Sequence, residues 1–147
     1  MVHDDWKRAW QTHKNGRDLR AIMQEPTRKV LDLHRSTQRA YSTVIVQMRT
    51  AKIGLRQFLH QIRVPGYETG DCGCGQGQQT VRHVLLACRT HAGLRRSYRT
   101  GTEGRHWTTD LRAMLSQRAT AITAAQFMIA TRLLKQFGAI QDAEEDD

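Results

Sequence analysis

The feature that most constrains this chain is the placement of its only three cysteines beside one histidine. The pattern is Cys72-Gly73-Cys74, then eight residues, then His83-x4-Cys88, all within seventeen positions. The first two cysteines lie within YETGDCGCGQGQQ (67–79), rich in glycine and without apolar periodicity, which hydrophobic burial cannot hold in one conformation. Something other than a core has to fix it. Three cysteines make a poor disulfide set, since an odd count leaves one unpaired in any case.

A structural Zn²⁺ site answers both problems. Zinc takes four soft or borderline ligands in a tetrahedron, with sulfur at about 2.3 Å and nitrogen at about 2.0 Å. Glycine between Cys72 and Cys74 permits backbone angles that let both sulfurs face a common point. His83 near the start of a helix and Cys88 near its end approach from the other side. On an ideal α-helix an i,i+5 pair lies about 140° apart, so Cys88 is expected at a loosened last turn. Taken singly, Cys88 reads as a small buried residue and His83 as a solvent-facing one; their clustering favours the metal. His91 is the reserve fourth ligand. Four protein ligands close the site, leaving no open position for water or substrate.

Helical periodicity surrounds this segment. An Asp4 cap precedes Trp6 and Trp10, an i,i+4 pair on one face, before Asn15-Gly16 turns the chain and Pro26 starts a second helix. In STQRAYSTVIVQMRTA, residues Tyr41, Val44, Ile45, Met48 and Ala51 recur at helical spacing against Arg39, Gln47 and Arg49. TVIV also reads as a strand, but the pattern outlasts one. LRQFLHQIR is a short amphipathic helix stopped by Pro65-Gly66, and Thr80 is the N-cap of VRHVLLAC, with Val81, Val84, Leu85 and Cys88 inward. Residues 91–104 read as a linker or a short helix with Arg95, Arg96 and Arg99 exposed. Thr109 or Thr108 caps LRAMLSQ, and ATAITAAQFMIATRLLKQF forms a final helix packed on the domain.

The expected fold is therefore mostly α: a small helical domain whose Gly-rich loop is stapled by one structural zinc. Its parts are a helical N-terminal half (1–66), a zinc-binding CCHC module (67–91), a C-terminal helical region (92–140) and a disordered acidic tail (141–147).

Charge points to a partner. The 23 Lys and Arg all lie at or before Lys135, whereas five of the 14 acids lie in the last six residues, so residues 1–140 set 23 bases against nine acids. So basic a domain attracts polyanions through counterion release, and nucleic acid, as RNA or single-stranded DNA, is the expected partner. Candidate contacts are Lys52, Arg56 and Arg63 before the cluster, Arg82 and Arg89 flanking its ligands, and Arg95, Arg96 and Arg99 after it. The bland reading is that these arginines solvate helix faces.

Several function classes lack their residues. No phosphate-binding Gly-x4-Gly-Lys-Ser/Thr loop, Gly-x-Ser-x-Gly elbow or His-Glu-x-x-His pair occurs, and the acids outside the tail are scattered. No catalytic activity of the chain's own is expected. No stretch approaches the 18 to 20 apolar residues of a spanning helix, and MVHDDWKRAW lacks the apolar run of a signal peptide. An intracellular location, nuclear or cytoplasmic and away from membranes, is expected.

Three segments, VIVQMRTAKIGLRQFLHQIRVPG, CGCGQGQQTVRHVLLAC and AAQFMIATRLLKQF, resemble the C-terminal segment of fungal non-LTR (LINE-type) retrotransposon reverse transcriptases, a zinc-knuckle-like region. In such proteins the first segment usually reads Thr-Gly-Lys-Ile-Gly-Leu, and Ala51 stands here in place of the first glycine. The resemblance implies that Cys72, Cys74, His83 and Cys88 are zinc ligands and that the segment handles element RNA or target DNA. Neither a Tyr/Phe-x-Asp-Asp polymerase motif nor a set of ribonuclease H acids is present. The rival expectation is a zinc-stapled scaffold docking on the polymerase or ribonuclease H part of an element protein, with Trp6, Trp10 and Phe58 at the interface.

Overall fold

Alanines and apolar residues fill nine of the thirteen positions of Arg118–Ala130, and the chain places this segment at its centre rather than on its surface. In the computed structural model, which describes residues 2–101 and 106–137, this helix buries Ala121, Ala124, Ala125, Phe127, Met128 and Ile129. Residues 138–140 and the expected acidic tail (141–147) lie outside the described residues. A helix apolar on most of its circumference has no single solvent face, so its neighbours must enclose it.

Before it the chain forms α1 (Val2–Thr12), α2 (Arg17–Ile22), a 3₁₀ turn (Arg28–Leu33), α3 (Arg39–Thr50), α4 (Arg56–Gln61), a π-turn (His83–Ala87), α5 (Ala92–Thr100) and α6 (Leu111–Met114), of which α3, α5, α6, the 3₁₀ turn and the π-turn pack on it. The central helix, α7, is followed by a 3₁₀ turn at Lys135–Phe137. The described residues contain no strand, only an isolated bridge between Asp71 and Gln78. The mostly helical fold with a glycine-rich loop is as the sequence indicates. TVIV is helical, and α3, which buries Val44, Ile45 and Met48, packs most extensively on α7. One apolar core runs from Ile22 to Phe137 and takes in Val81, Val84 and Leu85, so the His-x4-Cys segment is pinned to it.

Several boundaries differ from the expectation. The second helix starts at Arg17, directly after Gly16 (φ 77°), and Pro26 precedes only the 3₁₀ turn. Asp110, rather than Thr108 or Thr109, caps α6, its Oδ1 accepting from the amides of Arg112 (3.0 Å) and Ala113 (3.3 Å). A carboxylate there also meets the helix dipole favourably. The last helix stops at Ala130, and Arg132 takes a left-handed φ of 60°, so Leu133 and Leu134 lie beyond it. The Trp6/Trp10 stripe is half realised: Trp10 is partly buried, its Nε1 donating to the Met23 carbonyl (3.2 Å), while Trp6 is 57% exposed.

Arg49 is the larger surprise. The sequence puts it on the polar face of α3, yet it is buried, its Nη1 donating to the Leu115 carbonyl and its Nη2 facing the Met23 sulfur at 3.7 Å. Leu115 is the C-cap of α6, so the cation meets the negative end of a helix in place of a carboxylate.

Ala51 explains a further detail of the sequence. It ends α3 in the left-handed region at φ 58°, its amide donating to the Met48 carbonyl. A Cβ there costs roughly 1–2 kcal/mol, part of which a glycine would lose again through its freer unfolded chain. Ala51→Gly is therefore expected to stabilise the fold by about 0.5–1 kcal/mol, read as a higher midpoint in urea; a lower midpoint would show that the turn is not strained.

Candidate metal centre

Three short-range devices bring the cluster together. The first is the loop itself: the Cys72 amide donates to the Gly77 carbonyl (2.8 Å), the Gly75 amide to the Cys72 carbonyl (3.1 Å) and the Gln79 amide to the Gly70 carbonyl (2.8 Å). Glycine is required at Gly75 and Gly77, with φ of 77° and 138°, conformations hostile to a side chain. It is not required at Gly73, where φ is ordinary and a Cβ would meet nothing within 4 Å. The expectation that Gly73 aims the two sulfurs is thus corrected: the tight turn just after Cys74 does so.

The second device is the cap. Thr80 Oγ1 accepts from the His83 amide (3.1 Å), as the sequence indicates, and starts the ligand-bearing helix. The third is the way that helix ends. An α-helix would hold His83 and Cys88 on divergent faces; instead residues His83–Ala87 widen into a π-turn, closed by the Cys88 amide donating to the His83 carbonyl (2.7 Å). An i+5 hydrogen bond stacks residue 88 over residue 83. The loosened last turn that the spacing demands is this one.

The result is a set of four donor atoms, from Cys72, Cys74, His83 and Cys88, all within 4.8 Å of one another. Cys72 Sγ lies 3.7 Å from Cys88 Sγ, and Cys74 Sγ 3.2 Å from His83 Nε2. The edge of a tetrahedron with metal–sulfur bonds of about 2.3 Å is about 3.8 Å, so a metal ion fits among these atoms. The cysteines are buried, Cys88 completely, and His83 is partly buried. His91, the reserve ligand, is not part of the set; burial first, then the nearby Arg95 guanidinium, hold its pKa below the usual imidazole value.

Burial pushes the Cys72 thiol up. At Cys88 burial acts in the same direction, but hydrogen bonds from the Thr90 amide and from the side chains of Cys72, Thr90 and Cys74 outweigh it and bring the thiol below its ordinary value. Neighbouring amides supply what sulfur anions need: the Gln76 amide donates to Cys74 Sγ (3.4 Å), and Gln79 Nε2 faces Cys72 Sγ at 3.8 Å. Gln79 is buried, and its Oε1 accepts from the Arg56 amide (2.9 Å), tying the loop to α4. Sequence reasoning missed it, although a glutamine set between a glycine loop and a helix cap is a recognisable position for such a bridge.

Neither a family model, nor a curated protein, nor a solved structure matches this chain. Its site has to be read from its own atoms.

The eight candidate cations separate into two groups. Lys52, Arg56, Arg63, Arg82, Arg96 and Arg99 are exposed, as expected. Arg89 is exposed overall but donates through Nη2 to the Cys74 carbonyl (2.8 Å), so part of its guanidinium braces the loop. Arg95 contradicts the expectation. It is only 8% exposed, and it donates from Nε to the Leu85 carbonyl (2.8 Å) and from Nη2 to those of Val84 (2.9 Å) and Cys88 (3.0 Å). Residues 92–100 form a helix rather than a linker, and this helix turns Arg95 inward while Arg96 and Arg99 face out. Arg95 is withdrawn as a nucleic-acid contact.

Proposed function

We propose that this chain is a nucleic-acid-binding zinc domain derived from the C-terminal part of a retrotransposon reverse transcriptase, without catalytic activity of its own. Zinc is the ion that a buried tetrahedral set of three thiols and one imidazole suits best, and such a set is the closed, structural kind. The retroelement origin rests on the sequence motifs described above.

One observation carries the binding reading. The exposed cations around the cluster have no carboxylate partner among the described residues, whereas the ion pairs found there, Lys7–Glu25, Arg8–Asp5 and Arg35–Asp32, all involve the N-terminal segment. Charges left unpaired beside a rigid centre are available to phosphates, which fix position without reading sequence. A cavity of about 340 Å³ beside the ligand-bearing helix adds to this, because Arg82 and Arg112 line it together with Phe58, Gln57 and Gln79 and outnumber its one carboxylate, Asp18. An aromatic face, two cations and amides in one concavity are what an unstacked nucleotide engages.

The test is salt dependence. If four of these cations contact phosphates, log affinity for single-stranded RNA falls with log salt at a slope of about −2.8, so raising salt from 50 to 200 mM weakens binding about 50-fold. Replacing Arg82, Arg96 and Arg99 by Gln is expected to flatten that slope by about 0.7 for each phosphate-binding cation removed. Binding that is absent at low salt, or indifferent to it, contradicts the reading.

A second reading, a zinc-stapled scaffold docking on the polymerase or ribonuclease H part of an element protein, is favoured by the N-terminal surface. There Trp6, Trp10, Met23, Val30 and Val46 line an apolar groove of about 330 Å³, with Trp6 57% and Val46 48% exposed. Exposed apolar side chains gathered in one groove are a feature of interfaces. Salt-indifferent RNA binding together with such docking would favour it.

A further inference from the structure

We infer that Arg95 belongs to the metal centre as its buried counter-charge, and that its guanidinium fork holds open the turn on which His83 and Cys88 are carried. The inference rests on the zinc reading of Cys72, Cys74, His83 and Cys88.

A divalent ion bound by three thiolates and a neutral imidazole carries one surplus negative charge. Here that charge sits among sulfurs at 6% exposure or less, where water cannot neutralise it. A buried charge is costly, and a cation nearby lowers that cost beyond what the Gln76 and Gln79 amides supply. The described residues contain two buried cations, Arg49 and Arg95, and Arg49 is committed to the Leu115 carbonyl and the Met23 sulfur. Arg95 is the one joined to the ligand-bearing turn, through the carbonyls of Val84, Leu85 and Cys88 itself.

The need runs in both directions. Arg95 has no carboxylate partner among the described residues, and three carbonyl dipoles compensate a full charge only in part. Anionic centre and buried cation thus each supply what the other lacks.

Geometry adds a second role. In a π-turn the backbone is wider than in an α-helix, and carbonyls near its end lose their usual partners. The planar fork of arginine reaches the carbonyls of residues 84, 85 and 88 at once, which the single ammonium of lysine does not. Charge and fork can therefore be tested separately.

The experiment measures Zn²⁺ affinity of the full chain by chelator competition, with Co²⁺ absorption reporting tetrahedral geometry. Arg95→Gln, which removes the charge but keeps amide donors, is expected to weaken Zn²⁺ binding by about 10- to 100-fold, the usual effect of losing a group that supports metal ligands. Arg95→Lys keeps the charge and is expected to lose clearly less. Arg96→Gln and Arg99→Gln remove an exposed charge from the same helix and are expected to stay within about twofold of the unaltered chain. An Arg95→Gln chain that binds like the unaltered one, or surface variants that bind as weakly as it does, would overturn the proposal. So would Arg95→Lys as weak as Arg95→Gln. Should Arg95→Gln fail to fold even with metal, Arg95→Lys decides: affinity within about tenfold supports the counter-charge, and a larger loss overturns it. An unaltered chain that takes up no metal at all defeats the zinc reading itself, and this inference with it.

Discussion

Replacing Cys88 by alanine is expected to remove the metal and the cooperative melt of the protein together. Residues 67–79 contribute no apolar side chain to the main core; the cysteines form a cluster of their own. What else fixes the loop is a few backbone hydrogen bonds, the Gln79 bridge and the Arg89 brace, each worth about 0.5–1.5 kcal/mol net, or somewhat more where a charge is involved. Structural zinc contributes of order 10 kcal/mol, against a total stability of about 5–15 kcal/mol for a typical domain. Loss of one ligand from a four-ligand set therefore removes most of the margin. A thermal melt by circular dichroism should show the single transition abolished or displaced far downward. Adding EDTA to the Cys88→Ala chain should change nothing further, because both manipulations remove the same interaction. An altered chain that melts where the unaltered one does would show that the cysteines are ordinary core residues.

The second large effect belongs to the aromatic part of the main core. Phe127 is fully buried in α7, with Trp107 at 5.2 Å and Tyr98 at 5.6 Å in edge-on arrangements, and those two rings 6.2 Å from each other. The trio joins α5, α7 and the segment before α6, so it carries packing from the ligand-bearing side to the central helix. Phe127→Ala leaves a ring-sized void with aromatic walls that cannot collapse far, and the expected loss is about 3–5 kcal/mol in urea unfolding. Its effect on Zn²⁺ affinity should be small by comparison, since no ligand touches the ring. A loss below about 1 kcal/mol would mean that the core repacks around the site.

The metal cluster was legible in the sequence because its signal is chemical: few other arrangements account for three cysteines and a histidine in a glycine-rich stretch. The spacing even foretold a widened turn before Cys88. What could not be read was the use of arginine. Charge assigns Arg49 and Arg95 to the exposed faces of their helices, although their spacing is inward: Arg49 lies four residues after Ile45 and Arg95 three before Tyr98. A charge on that face reads as a break in the pattern, and its partners, the carbonyls of Leu115 or of Val84, Leu85 and Cys88, are main-chain atoms that no composition reveals. The same holds for Gln79. Helix boundaries shifted where a local competitor prevailed: Asp110 over two threonines as a cap, Gly16 over Pro26 as a start, and a left-handed Arg132 over a run of good helix formers.

Main-chain carbonyls thus take the place that carboxylates usually hold beside a buried cation, and the few acids of this chain are consistent with that economy. It leaves the exposed cations around the cluster without a carboxylate partner among the described residues, while Arg49 and Arg95 are held by main-chain carbonyls inside the fold. Among the described residues no helix is long and apolar enough to cross a membrane.

The most direct test of this account is the metal content of the purified chain, measured by native mass spectrometry before and after chelation. One Zn²⁺ per chain, held by three sulfurs and one nitrogen in X-ray absorption and lost in Cys88→Ala, is the predicted result. A chain that carries no metal and melts identically with and without EDTA would contradict it.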